Sequence, residues 1–312
     1  MNTLQLTNKN KIVEGQIVGA EIFNRFVEYL DASPKTIDTY TKAVRQLFNY
    51  FSFNGITKPE REDILAYKEK LKASGHKPTT VQNYITVCKI FFKWTSQEGY
   101  YPNIAEHIKG AKLSREHKKD YLTSSQVKDI LESIEKENIQ GLRDYAILLL
   151  MVTGGLRTIE VIRADIGDLR TVGAFTVLYV QGKGREEKTE YIKISAPVEK
   201  AIRMYLQVRG TISETEPLFT SLSNNNKGQR LTTRSISGIV KERLKNAGYN
   251  SSRLTAHSLR HTAVTLSLLA GKNLAEVQQF ARHVNITTTM IYNHALDKAK
   301  NSCSEAITEA II

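Results

Sequence analysis

The run Ala256–His294, AHSLRHTAVTLSLLAGKNLAEVQQFARHVNITTTMIYNH, carries the residue types of a phosphate reaction. His257, Arg260 and His261 fall close together, and His283 precedes Tyr292 by nine residues. The three-residue step from His257 to Arg260 places both on one helix face, where they can converge on one ligand. An arginine flanked by imidazoles suits the oxygens of a phosphate. Tyr292 adds a hydroxyl that turns nucleophilic once a base takes its proton and other groups hold the electrophile. Taken singly, each residue is equally compatible with a packing or surface role.

Two upstream stretches add to this set. In Thr153–Val161, TGGLRTIEV, Arg157 follows an apolar run (Ala146–Val152) and a Gly-Gly turn, with Glu160 one helical turn later. In Val177–Ile194, β-rich segments flank Gly182-Lys183-Gly184-Arg185, a pattern that predicts a hairpin with Lys183 near its tip.

Arg157, Lys183, His257, Arg260, His283 and Tyr292, in that order, resemble the active-site pattern of the tyrosine recombinases, or phage integrase family. The matching parts are GLRTIE, GKG in a hairpin, HSLRH, and RH followed by a tyrosine. The general look is of Xer-type and mobile-element members, and the resemblance runs from about Glu21 to the end. It implies an enzyme in which Tyr292 attacks a DNA phosphodiester, releases a 5′ hydroxyl and leaves a 3′-phosphotyrosyl bond. It also implies that Arg157 and Arg260 hold the non-bridging oxygens, helped by His257 and His283. Lys183 is then the general acid, His257 the candidate to take the tyrosine proton, and Glu160 an orienting group for Arg157 or His257. Neither a metal, ATP nor another cofactor is expected. For His261 a helix-packing or capping role is the preferred reading. One position departs from the family: a glycine usually stands before the second histidine, and here it is Arg282.

The elements that must position these residues are readable in outline. At 312 residues the chain has the length of about two domains. Its net charge of +12 is shared by the parts before and after His117, as befits a grip on a polyanion from two sides. The two cysteines, Cys88 and Cys303, match no metal-ligand spacing and point to a reducing setting. Met1–Gly15 is too polar for a signal peptide, and no apolar run reaches the ~18 residues of a membrane span. A cytoplasmic, nucleoid-associated protein is expected.

The expected fold class is mainly α with a small β-sheet or hairpin: an all-α, SAM-like core-binding domain plus a mixed α/β catalytic domain. The expected boundaries are a mobile segment at 1–20, the helical domain at 21–111, a linker at 112–120, the catalytic domain at 121–300 and a terminal helix at 301–312. In the first domain, helices are predicted over Glu21–Asp31, from Ser33 with Pro34 at its first position, over Pro59–Ala73, from Pro78, and over Asn103–Ile108. Lys35, Thr36, Thr39, Lys77, Thr79, Thr80 and Asn83 lie at or near the polar starts of the second and fourth helices. The resemblance makes them DNA contacts; capping and solvation would explain them as well. In the second domain, helices are predicted over Ser125–Lys136, Leu142–Val152, Pro197–Arg209 and Thr232–Ala247. A further helix carries HSLRH and ends near Gly271, another is capped by Asn273, and a short one carries Tyr292 after a cap at Thr287 or Thr288.

The expected partner is double-stranded DNA with paired recombination sites, bound by a homo-tetramer linked through its C-terminal helices, with room for an accessory DNA-bending protein. No arm-binding domain is evident before Glu21. Integration or excision of a mobile element and Xer-type dimer resolution both remain open. Three other readings compete: a DNA-binding regulator that has lost catalysis, a type IB topoisomerase with similar chemistry, and a phosphatase or nuclease using cationic residues, which gives no reason for the N-terminal helical domain. The first would lack one of the key residues, and the second relaxes supercoils singly.

Overall fold

The computed structural model describes residues 20–112, 120–182, 184–210, 213–299 and 302–312. Most of the expected N-terminal segment and linker, and Lys183, lie outside the described residues. The chain divides into two compact units, Met1–Ser114 and Arg115–Ile312.

The first unit is helical: α1 (Ala20–Tyr29), α2 (Pro34–Phe53), α3 (Arg61–Ala73) and α4 (Pro78–Gln97). The Ser33 hydroxyl accepts from the Thr36 backbone N–H at 3.4 Å, and Pro34 opens α2 where its missing donor costs nothing. The apolar stripes of α2 and α4 meet in an aromatic core. Phe91 packs edge-on to Phe26 and Phe48, with centroids 5.1 and 5.3 Å away. The helix expected over Asn103–Ile108 does not form. The segment is a chain of tight turns, with Ile104 N–H on Pro102 O and Glu106 N–H on Asn103 O, and His107 takes φ 57°. Ala105 and Ile108 still fill the core.

The second unit surrounds α6 (Ile139–Gly154), which is apolar nearly all round. Against it pack α5 (Ser124–Glu132), α8 (Ala196–Arg209), α9 (Thr233–Asn246) and α10 (Ala256–Leu269). Thr123 and Gln126 close a capping box on α5, which stops at Glu132 rather than reaching Lys136. Asp144 of α6 is almost fully buried between Arg143 and Arg243, the latter tying α9 down at 2.6 Å. The expected hairpin is part of an antiparallel three-stranded sheet, β1 (Leu169–Val172), β2 (Phe175–Val180) and β3 (Glu190–Ile194). Leu178 pairs with Ile192 and Thr176 with Ile194, so Leu178, Val180, Ile192 and Ile194 enter the core together. The short α7 (Thr158–Arg163) follows α6, and α11 (Leu274–Ala281), α12 (Ile286–Ala299) and α13 (Cys303–Ile311) complete the chain. Asn273 caps α11 as expected. On α12 the capping oxygen is that of Asn285, which accepts from the Thr287 N–H at 2.9 Å, so Thr287 and Thr288 lie inside the first turn. Among the described residues, no helix is long and apolar enough to cross a membrane.

Candidate active site

The site is built where α6 ends. Gly155 caps α6 in the left-handed region at φ 57°, and a Cβ there would stand 3.0 Å from the Phe280 ring. The turn delivers Arg157 as the residue before α7. Its backbone N–H donates to Glu160 Oε2 at 2.8 Å, and its Nη1 donates to Glu160 Oε1 at 2.7 Å. Glu160 is fully buried, and its Oε2 also accepts from Arg282 Nη2 at 2.9 Å. Burial works to raise the Glu160 carboxyl, but Arg282 and the Arg157 amide outweigh it and hold the group below the usual range.

Arg282 is where the expected glycine is missing, and the backbone there is the one glycine would take: φ 53°, ψ 47°. Its guanidinium spans to Phe280 O at 2.8 Å and Gly155 O at 3.2 Å, and its own carbonyl accepts from Arg157 Nη2 at 3.2 Å. Arg260, on the first turns of α10, is only 1% exposed. It donates to Gly155 O and Ala281 O, so one side chain links the end of α6 to the end of α11. Burial first, and Arg157 second, pushes its guanidinium down to about 9, still cationic at neutral pH.

His283 follows Arg282 and shares a hydrogen bond with Thr289 through Nδ1 at 2.9 Å. Burial, then Arg260 and Arg157, push it down to about 4, so its imidazole is neutral at pH 7. The Tyr292 ring lies nearly parallel to His283, with centroids 6.3 Å apart. Tyr292 is 6% exposed, and burial pushes its hydroxyl up to about 12 against the pull of Arg260 and Arg157. The hydroxyl meets Nδ1 of His261. The capping box of α10 is formed by Thr255 and Ser258. His261 is buried, with the exposed His257 edge-on at 4.3 Å. His261 is therefore the site residue that the sequence pattern undervalued; its partner lies 31 positions away, and only the packing of α10 on α12 joins them.

The structure thus gathers Arg157, Glu160, His257, Arg260, His283 and Tyr292 and adds His261 and Arg282. Lys183 is outside the described residues, but the loop that bears it is anchored on both sides. Arg163 Nη1 donates to Gly182 O at 3.0 Å, and Lys188 reaches Asp165 and Asp168 at 2.6 and 2.5 Å. In the first unit Lys35, Thr39, Lys77, Thr79 and Asn83 are exposed, while Thr36 and Thr80 are half-buried. Several also serve local structure: Thr36 bonds the Ser33 hydroxyl, Thr39 bonds Lys35 O, and Lys35 lies 3.6 Å from Asp38.

Comparison with known proteins bears on the family of the chain. Residues 120–299 match the phage integrase family, and residues 20–101 match the phage integrase N-terminal SAM-like domain. The chain is 29% identical over 282 residues to tyrosine recombinase XerC of Herpetosiphon aurantiacus, covering 86% of this chain and 89% of that one. It is also 29% identical to tyrosine recombinase XerA of Pyrococcus horikoshii, covering 91% of this chain and 95% of that one. In fold it is similar to XerH site-specific recombinase bound to palindromic difH substrate, with a TM-score of 0.72 at 22% identity, covering 92% of this chain and 84% of that one. The catalytic and SAM-like matches show that the chain belongs to the phage integrase family and is an enzyme of the site-specific DNA recombinase class.

Proposed function

We propose that this chain cuts and rejoins duplex DNA through a covalent 3′-phosphotyrosyl intermediate on Tyr292. The observation that carries this reading is the convergence of Tyr292, Arg157, Arg260 and His283 in one place, with the tyrosine ring stacked on His283 and both arginines close enough to lower its hydroxyl. Attack by Oη on phosphorus expels the 5′ oxygen. Arg157 and Arg260 meet the charge that grows on the non-bridging oxygens, in a water-poor setting where fixed donors act strongly. A neutral His283 adds a donor without adding charge. Lys183 protonates the leaving oxygen from the anchored β2–β3 loop. The phosphodiester energy is kept in the tyrosyl bond, so a 5′ hydroxyl from a partner strand can reverse the step without ATP or metal.

The substrate is double-stranded DNA with paired sites, gripped by both basic units as a protein tetramer. Lys77, Thr79 and Asn83, exposed at the start of α4, are DNA contacts in this reading. The biological role is that of a mobile-element or Xer-type recombinase. Helix α13 supports assembly: Ile307, Ile311 and Ile312 are exposed and no α13 residue is buried, so its apolar stripe suits a neighbouring protomer.

The test is selection of bound duplexes from a randomised library, followed by incubation with a nicked form of the selected site. The wild-type chain should form a denaturant-resistant protein–DNA adduct, and Tyr292→Phe should bind equally well and form none. An adduct that persists in Tyr292→Phe overturns the assignment. Supercoil relaxation by the wild-type chain without two-site recombination would favour the topoisomerase reading.

A further inference from the structure

The tyrosine hydroxyl, the reacting atom of the proposed chemistry, is held by a residue outside the expected set. His261 is 4% exposed and is carried on the turn of α10 after Arg260. Its Nδ1 lies at the Tyr292 hydroxyl, and the rings are 5.3 Å apart at 43°. The His257 ring stands edge-on to it at 76°, with centroids 4.3 Å apart, and His257 is exposed. A buried imidazole thus contacts both the tyrosine hydroxyl and an imidazole that reaches solvent. Each neighbour of the tyrosine has a distinct place: His283 stacks on its ring, Arg260 and Arg157 act on its charge, and His261 engages its oxygen.

We infer that His261, rather than His257, is the general base that takes the Tyr292 proton. This rests on the recombinase reading above. In the step, the Oη–H bond breaks and the proton moves to Nδ1 of His261, which must start unprotonated with its hydrogen on Nε2. The freed oxygen pair forms the bond to phosphorus. The P–O5′ bond breaks with its electrons on O5′, which takes a proton from the acid on the β2–β3 loop. His261 becomes cationic as negative charge develops on the phosphoryl oxygens, so the two charges arise together. His257 sits behind His261 as its link to solvent. In the reverse step, His261 returns the proton to the leaving tyrosine oxygen.

A His261→Asn substitution separates holding from proton transfer. The Asn Oδ1 stands close to where Nδ1 was and can still accept a hydrogen bond, but it cannot take a proton. Adduct formation by the full-length chain on the selected nicked duplex should fall about 100-fold or more, the usual scale of a lost general base, with duplex affinity unchanged. Placing 3,5-difluorotyrosine at position 292 lowers the demand for a base. It should shrink the His261→Asn defect at least tenfold while changing the wild-type rate little. A His261→Asn enzyme that cleaves at the wild-type rate, or whose defect the fluorinated tyrosine leaves unchanged, overturns the assignment.

A DNA-free arm keeps this distinct from failure of the recombinase reading. In nitrogen-15 histidine spectra of the full chain, His261 Nδ1 should be unprotonated, and its signal should move in Tyr292→Phe while those of His76 and His107 stay. A protonated Nδ1, or a signal indifferent to Tyr292→Phe, rejects the base whether or not the wild-type chain forms adducts. Absence of any wild-type adduct with an interacting, unprotonated Nδ1 would reject the recombinase reading and, with it, a base acting in that reaction.

Discussion

Arg282 donates to Glu160 at 2.9 Å across 122 positions of sequence, and both side chains are almost fully buried. The pair shows why an arginine is tolerated in a left-handed backbone. A non-glycine residue there costs about 1–2 kcal/mol, and breaking a buried pair from one side costs about 3–5 kcal/mol. Arg282→Gly relieves the first and incurs the second, so a net loss of about 2 kcal/mol is expected in urea unfolding. Glu160→Gln should lose more, because it strips the shared partner from Arg157 as well. An Arg282→Gly chain as stable as the wild type would mean that the Arg157 amide and side chain suffice for Glu160.

Arg157 and Arg260 should part company under mutation. Arg157 is partly open, with 29% of its side chain exposed, and its bonds go to Glu160 and one carbonyl. Arg157→Ala should abolish adduct formation with a modest change in folding. Arg260 joins two helix ends through Gly155 O and Ala281 O, so Arg260→Ala should abolish adducts and also destabilise by about 1–3 kcal/mol, because Ala281 O loses its donor while Gly155 O keeps only Arg282. Denaturation curves alongside adduct gels check the difference.

The neutral His283 gives stability a definite pH slope. Its folded value of about 4 lies below its unfolded value near 6.5. Between the two, the unfolded chain binds a proton that the folded chain refuses, so stability rises with pH across this window. Acidifying from pH 7 to pH 4 should cost up to about 3 kcal/mol through this group alone. Carboxylates titrate in part of the same range, so the readout is the difference between the wild type and His283→Gln. The variant should show the shallower acid slope, and parallel slopes would contradict a depressed His283.

Helix α13 makes a contrasting forecast. None of its residues is buried, so deleting Ser302–Ile312 should leave the melting temperature of the DNA-free protein unchanged. Single-site binding should persist, while cooperative two-site assembly and recombination should fall, as measured by gel shift and by strand-exchange assays. Full cooperativity in the truncated protein would remove the tail from assembly.

Much of the scaffold is legible because local chemistry writes it. Ser33-Pro34, Thr232, Asn273 and Gly271 mark helix ends through their own caps and turns. The alternating Leu178, Val180, Ile192 and Ile194 mark the strands. What misleads is where tertiary bonds outrank local ones. Asn103–Ile108 keeps its apolar residues but not its helix, and Asn285 takes the capping place that threonines seemed to claim. The ordered set from Arg157 to Tyr292 is visible because its spacing is distinctive. The contact of His261 with Tyr292 and the ties from Arg282 to Glu160 and Gly155 span long intervals, and no local pattern encodes them.

The apolar packing of the second unit is unequal. Its main core gathers around α6, whereas the Tyr292 ring belongs to a small cluster with Val264, Val277 and Ala281, flanked by Leu268. Regions with little buried apolar contact open at a fraction of the global unfolding cost. On the proposed reading, the tyrosine would ride on a helix held by few apolar contacts, while Arg157 is pinned through a fully buried carboxylate at the end of the main core. In that reading, whatever lifts or seats α12 would decide, strand by strand, whether a poised phosphate finds its attacker.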